Sequence, residues 1–191
     1  MKSNQVGQVS YRFPVDNDDT TIPWYWLNQY GTAVPGPRVS KIEACNRGLP
    51  GDDHWDIVVL ASDDMVCQVK GWDEIIRDDM RREFPDTDGC LWYPDGHQAN
   101  LCTLAVMGRK YFDRYGYIYH PSYKSLWYDN EQHEVAQSQG KLYASDAVLF
   151  EHMHCAWGKS KKDNLYAHGS SFDPVDRKNF YERKAAGFPH V

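Results

Sequence analysis

Apolar and polar residues alternate at Val9, Tyr11, Phe13 and Val15, which predicts an opening strand with one face more buried than the other. The strand runs into Asp16-Asn17-Asp18-Asp19, a cluster of turn formers. The stretch 22–31 predicts a short helix ending at Gly31, and 34–38, with two prolines, a loop. Ser40 with Glu43 three residues on is the spacing of a capping box, and Val39, Ile42, Cys45 and Leu49 follow near helical spacing. Ile57 to Ala61 is unbroken apolar sequence, as expected of a strand covered on both faces in a mostly parallel sheet. Trp72, Ile75, Ile76, Met80 and Phe84 then fall at i, i+3, i+4, i+8 and i+12, one stripe of a helix that Pro85 stops.

The second half continues the alternation. A strand is predicted over 99–107, a short helix over 109–116 and a helix over 129–140 closed by Gly140. Two short strands, 141–145 and 147–152, follow. The last helix has Asp173 as its expected N-cap, Pro174 at its first position and Gly187 beyond its end. Strands alternating with helices predict an α/β class, a mostly parallel sheet flanked by helices.

At 191 residues the chain is long enough for a sizeable core, and 41% hydrophobic with 25% charged residues is ordinary for a globular protein. A net charge of −6 argues against nucleic acid or an anionic membrane as partner. No run approaches the roughly 18 apolar residues of a membrane span. The N-terminus lacks the apolar core of a signal peptide. Five cysteines without a CxxC pair read as reduced thiols, so the expected compartment is the cytoplasm. Aromatics reach 14%, with 13 Tyr and 7 Trp, a surplus that suits either a tyrosine-rich core or a site for flat or sugar-like ligands.

Ligands of open α/β sheets bind beyond the carboxyl ends of strands. Two acidic clusters fall at such ends: Asp16, Asp18 and Asp19 after the first strand, and Asp63 and Asp64 after the apolar run at 57–61. Adjacent carboxylates repel unless a cation lies beside them, and a hard divalent ion with oxygen ligands suits the pair. The alternative is that they merely cap the helix after the loop.

Five motifs, in order, resemble family 2 glycosyltransferases of the GT-A fold. They are the acidic turn Val15-Asp16-Asn17-Asp18-Asp19, the helix segment Ala44-Cys45-Asn46-Arg47-Gly48, and Ser62-Asp63-Asp64 at a strand end. Asp129, eleven residues before Gly140, and the pair His152 and His154 complete the set, so the likeness covers roughly residues 9 to 155. It implies a catalytic domain over 1–155 and a flexible lid with a C-terminal helix over 156–191. It also implies that about one β-α unit of the family pattern is missing before the first strand, leaving a sheet edge that a second copy of the chain could cover.

The implied chemistry is transfer of a sugar from a UDP- or GDP-linked donor to a saccharide or other hydroxyl acceptor, with inversion, assisted by Mn²⁺ or Mg²⁺. The implied metal ligands are Asp64 with His152, and His154 as the alternative, only one histidine being expected to face the ion. Asp16, Asp18, Lys41 and Asp63 are the implied donor contacts, with Arg47 a further candidate. Asp129 or Glu131 is the implied base, and the two point to different faces of their helix. Trp92, Tyr93 and His97 are the implied acceptor contacts, core packing being the other reading of Trp92. Lys159, Lys161 or Lys162 of the lid would approach phosphate, unless the segment is a plain linker. Rival functions are a nucleotide-sugar-binding protein of the same fold without turnover, and a nucleotidyltransferase. The latter asks for a glycine-rich phosphate loop with lysine, and the only candidate, 31–38, is proline-rich.

Overall fold

The computed structural model describes residues 6–21, 23–49 and 55–190, so Ile22 and 50–54, part of the stretches read above, lie outside it. β1 (Arg12–Asp16) pairs in parallel with β2 (Thr32–Gly36), the two joined through α1 (Trp24–Leu27). The loop expected at 34–38 is therefore a strand as far as Gly36. Thr32 donates to the Tyr11 carbonyl and Gly36 accepts from Asn17, so residues 32, 34 and 36 face β1. Pro35 lies between them with its missing N–H directed away from the partner, the position a strand proline tolerates.

α2 (Lys41–Arg47) starts with the expected capping box: Ser40 Oγ accepts from the Glu43 N–H, and Glu43 Oε2 accepts from the Ser40 N–H at 3.1 Å. Asn46 on this helix donates to the Tyr119 carbonyl at 2.8 Å and accepts from the Ile118 N–H at 3.1 Å. Its amide thus ties α2 to a segment more than seventy residues away.

The main sheet has the order β3 (Ile57–Val59), β6 (Val106–Gly108), β5 (Cys90–Trp92), β7 (Leu142–Ala144). β6 runs antiparallel to both neighbours, and only β5 and β7 are parallel. The expected mostly parallel sheet is thus a mixed one. Residues 93–105 connect β5 to β6 as a loop with no helix, and a parallel neighbour needs a crossover. The same loop absorbs most of the strand expected over 99–107, which shortens to Val106–Gly108.

A separate antiparallel pair joins β4 (Met65–Cys67) to β8 (Phe150–His152). Alternate residues of the main sheet feed two cores. On one side α3 (Trp72–Glu83) lays Trp72, Ile76 and Met80 against Leu91, Val106, Leu149 and Phe150. On the other, Cys90 and Met107 meet Ile42 of α2, Tyr111 of α4 (Arg109–Asp113) and Ala136 of α5 (Tyr128–Ser138). β3 serves both sides, Val58 and Leu60 toward one cluster and Ile57, Val59 and Ala61 toward the other, which is why its sequence is continuously apolar. Tyr93, Tyr111, Tyr119 and Tyr123 are fully buried, so much of the tyrosine surplus is core.

The C-terminal segment is built into this body. α6 (Asn164–Ser170) lies within the stretch expected as a lid or linker. α7 (Asp173–Ala185) begins at Asp173 with Phe172 as the N-cap residue, one position before the expected one. Phe180 of α7 joins the α2–α5 cluster, and the fully buried Asp176 accepts backbone N–H bonds from Lys124, Ser125 and Leu126. Among the described residues no helix is long and apolar enough to cross a membrane.

Candidate metal and acid-base site

After β3 the chain turns through Asp63 and Asp64, closed by the Met65 N–H donating to the Ser62 carbonyl. It then enters β4 and meets β8 in a register that sets Met65 opposite His152. The Met153 N–H donates to the Asp64 carbonyl at 2.8 Å, pinning the turn to the end of β8. Side chains 88 residues apart are thereby brought face to face, with His152 Nε2 3.1 Å from Asp64 Oδ2. His154 follows just past the strand, its ring 4.9 Å from that of His152.

One ligand atom from each of Asp64, His152 and His154 lies within 4.8 Å of the others. The expectation that only one histidine would face the ion is corrected: residues two apart share a strand face, so both rings come to the same side. His154 Nδ1 accepts the Ala156 N–H at 3.2 Å, so His154 would ligate either through Nδ1 or after giving up that contact. Asp64 Oδ1 is buried and has no hydrogen-bond partner among the described residues. A buried carboxylate oxygen left unpaired is costly, and a cation satisfies it. The donor set, one carboxylate and two imidazoles, suits a borderline ion such as Fe²⁺ or Zn²⁺ best, admits Mn²⁺, and suits the harder Mg²⁺ least.

Charge at the site follows from its neighbours. The Asp95 carboxylate raises the affinity of His152 for its proton, an effect that burial opposes and Asp64 reinforces. Burial, and then the nearby His152, lower that of His154. Asp95 itself is buried; burial would raise its carboxyl, but hydrogen bonds from His152, Gln98, His97 and Thr103 outweigh this and hold it well below the usual range.

Asp129 sits in the first turn of α5. Burial pushes its carboxyl up, and the Lys41 ammonium works against that shift, with His152 adding in the same sense as Lys41. Lys41 leaves much of its surface in solvent while its ammonium lies 5.3 Å from the centre of the Tyr128 ring. A carboxylate tuned upward by burial, within electrostatic reach of His152 and of a lysine, is suited to general-base chemistry.

The other expected residues separate clearly. Glu131 is buried and bound by both Arg183 nitrogens, at 2.8 and 2.7 Å, and by the Tyr123 hydroxyl at 2.7 Å. That commitment makes it a structural carboxylate and leaves Asp129 as the base candidate. Tyr93 has no exposed surface, and its hydroxyl donates to Asp79 at 2.7 Å, so it belongs to the core instead of an acceptor face. Trp92 stands edge-on to His133 at 5.0 Å. His97, part-buried like Trp92, is stacked on Trp157 at 5.4 Å with the rings 16° from parallel.

Asp16 and Asp18, at the end of β1, pair with Arg47 at 3.3 Å and Arg38 at 3.0 Å. Asp63 is exposed beside Asp64. Lys159 pairs with Glu151 at 3.1 Å, and the Lys162 ammonium lies 5.6 Å from the Tyr166 ring centre. Lys161 is exposed. Tyr166 of α6 in turn stands edge-on to His154 at 5.2 Å, so the expected lid segment does touch the cluster. Two contributors escaped the sequence reading, Asp95 and Trp157. The Pro94-Asp95-Gly96 turn and the closeness of Trp157 to His154 were the signals that could have found them.

No protein-family model, curated protein or solved structure matches the chain.

Proposed function

We propose that the chain is a metal-dependent glycosyltransferase that moves a sugar from a nucleotide-sugar donor to a hydroxyl acceptor. The carrying observation is that ligand atoms of Asp64, His152 and His154 lie within 4.8 Å of one another, with the Asp129 carboxylate within electrostatic reach of His152. Mn²⁺ or Mg²⁺, held by Asp64 and His152 with His154 as third ligand, would neutralise charge on the donor diphosphate as it leaves. Asp129 accepts the proton of the acceptor hydroxyl, which attacks the anomeric carbon from the face opposite the leaving group, so the configuration inverts. Lys41 opposes the upward push of burial on the Asp129 carboxyl. Asp16 and Asp18 offer carboxylates to ribose hydroxyls of a UDP or GDP moiety, with Asp63 beside the diphosphate. His97 stacked on Trp157 supports an acceptor sugar, since a sugar ring packs its apolar face on an exposed indole.

The test is a thermal-shift and hydrolysis screen of UDP- and GDP-sugars with and without Mn²⁺. A donor at a hundredfold excess over its Kd adds about 2.7 kcal/mol of stability. Stabilisation that needs both sugar nucleotide and Mn²⁺, with turnover lost in Asp64→Asn, is the expected result. Stabilisation without turnover of any donor would leave a binding protein in its place, and no effect of any donor with Mn²⁺ would end the reading.

A further inference from the structure

We propose, resting on the metal reading above, that Asp95 is a positioning residue that aims the His152 imidazole at the cation and fixes the loop bearing His97 to the same point. Asp95 grips His152 twice. Its backbone carbonyl accepts the His152 N–H at 3.0 Å, and its Oδ2 lies 3.4 Å from His152 Nδ1. The rest of the carboxylate holds the loop: Oδ1 accepts the His97 and Gln98 N–H groups at 2.9 and 2.6 Å, and Oδ2 accepts the Thr103 hydroxyl at 2.8 Å. The residue is 2% exposed, so water does not supply these bonds.

The chemistry follows from the two nitrogens of His152. Nε2 faces Asp64 and Nδ1 faces Asp95. A neutral imidazole carries one hydrogen; with a cation between Nε2 and Asp64 that hydrogen belongs on Nδ1, where the Asp95 carboxylate accepts it. An amide in place of Asp95 reverses this. Its oxygen must take the Oδ1 position, because two backbone N–H donors meet there and an NH₂ would oppose them. The NH₂ then lies at the Oδ2 position, where Thr103 can accept from it. It also donates to Nδ1, moving the ring hydrogen to Nε2, where it points at the ion.

The experiment measures Mn²⁺ Kd from the free-ion EPR signal, and nitrogen couplings of bound Mn²⁺ by pulsed EPR, with melting temperatures alongside. Asp95→Asn is expected to weaken Mn²⁺ about ten- to hundredfold and to remove one imidazole coupling. Asp95→Ser guards against a folding defect in the first variant. It keeps an oxygen for the two loop amides but is too short to reach the ring, and the same loss is expected. Thr103→Val removes one loop bond to Oδ2 but leaves the Asp95 carboxylate facing the ring, and is expected to lower the melting temperature while Kd stays within about twofold. Wild-type protein that binds Mn²⁺, with Kd and couplings unchanged in both Asp95 variants, overturns this proposal and leaves the metal site standing. Wild-type protein that binds no Mn²⁺ overturns the metal site and this proposal together.

Discussion

Replacing Asp176 with Ala tests how far the C-terminal helix governs the candidate site. Its carboxylate accepts three backbone N–H groups, from Lys124 at 2.9 Å and from Ser125 and Leu126 at 2.8 Å each, and the residue has no exposed surface. Those three residues lead through Trp127, held at a left-handed φ of 65°, into the first turn of α5 with Asp129. An orphaned buried donor costs about 1–3 kcal/mol. The Ser125 N–H is fully buried and takes that cost in full, while the other two are partly buried and recover some of it from water. The sum is about 3–5 kcal/mol, in line with breaking a buried charged contact. For a chain of this size, 1 kcal/mol moves Tm by about 2–4 °C, so Asp176→Ala should lower it by about 6–20 °C. Asp176→Asn, which keeps one acceptor oxygen, should lose roughly half as much. Urea unfolding followed by tryptophan fluorescence gives the free energies, and differential scanning calorimetry the midpoints. Where Asp176→Asn still folds, its turnover should fall although residue 176 lies on a different helix from Asp129. A midpoint for Asp176→Ala within about 2 °C of wild type would refute the claim that this carboxylate organises the 124–129 segment.

Further outcomes separate roles at the site. Asp129→Asn should abolish transfer while leaving Tm at or above the wild-type value, because a carboxylate in a burial-penalised position is removed; Glu131→Gln should cost roughly 1–3 kcal/mol in a urea melt by weakening the Arg183 contact, with kcat retained at temperatures where the protein is folded. The metal-free protein should show a pH-dependent stability term at His152. Its folded affinity for the proton is raised above the unfolded value of about 6.5, so the term is fully present below that pH and is lost as pH rises through the higher folded value. The difference in unfolding free energy between wild type and His152→Gln should therefore shrink from pH 6 upward, and a flat difference would contradict it. Trp157→Ala should raise KM for the acceptor several-fold and leave donor hydrolysis and Mn²⁺ affinity in place, as read by initial rates at saturating donor.

Local signals were the legible part of the fold. The Ser40–Glu43 box, the 72–84 stripe, Gly140 and the Pro174 start all act within a few residues, and each element formed where they indicated, α7 one residue off. Pairing was less legible, because it depends on partners distant in sequence. β2 was hidden by Pro35, whose exclusion from strands lapses when its nitrogen faces away from the only partner. The direction of β6 was hidden by the 93–105 loop, where polar anchoring at Asp95 and Thr103 replaces the expected strand. At the candidate site, Asp64, His152 and His154 were named from their residue types, and the fold does bring those three together. Glu131 and Tyr93 look equally able to react, and only their burial against Arg183 and Asp79 removes them from consideration. Asp95 is one carboxylate in a turn until the fold brings β8 alongside it.

The β4–β8 ladder is three residues long on each side, yet it is what brings Asp64 to His152 and His154. Such a short ladder opens locally at modest cost, and each opening parts Asp64 from both histidines at once. Apparent ion affinity is then the intrinsic affinity multiplied by the fraction of time the ladder is closed. An ion bound across it would work as a clasp, slowing exchange of the Met153 and Gln68 amide hydrogens, which donate across the pair to the Asp64 and Leu149 carbonyls. Loosening those strands from a distance would shed the ion without altering any of its ligands.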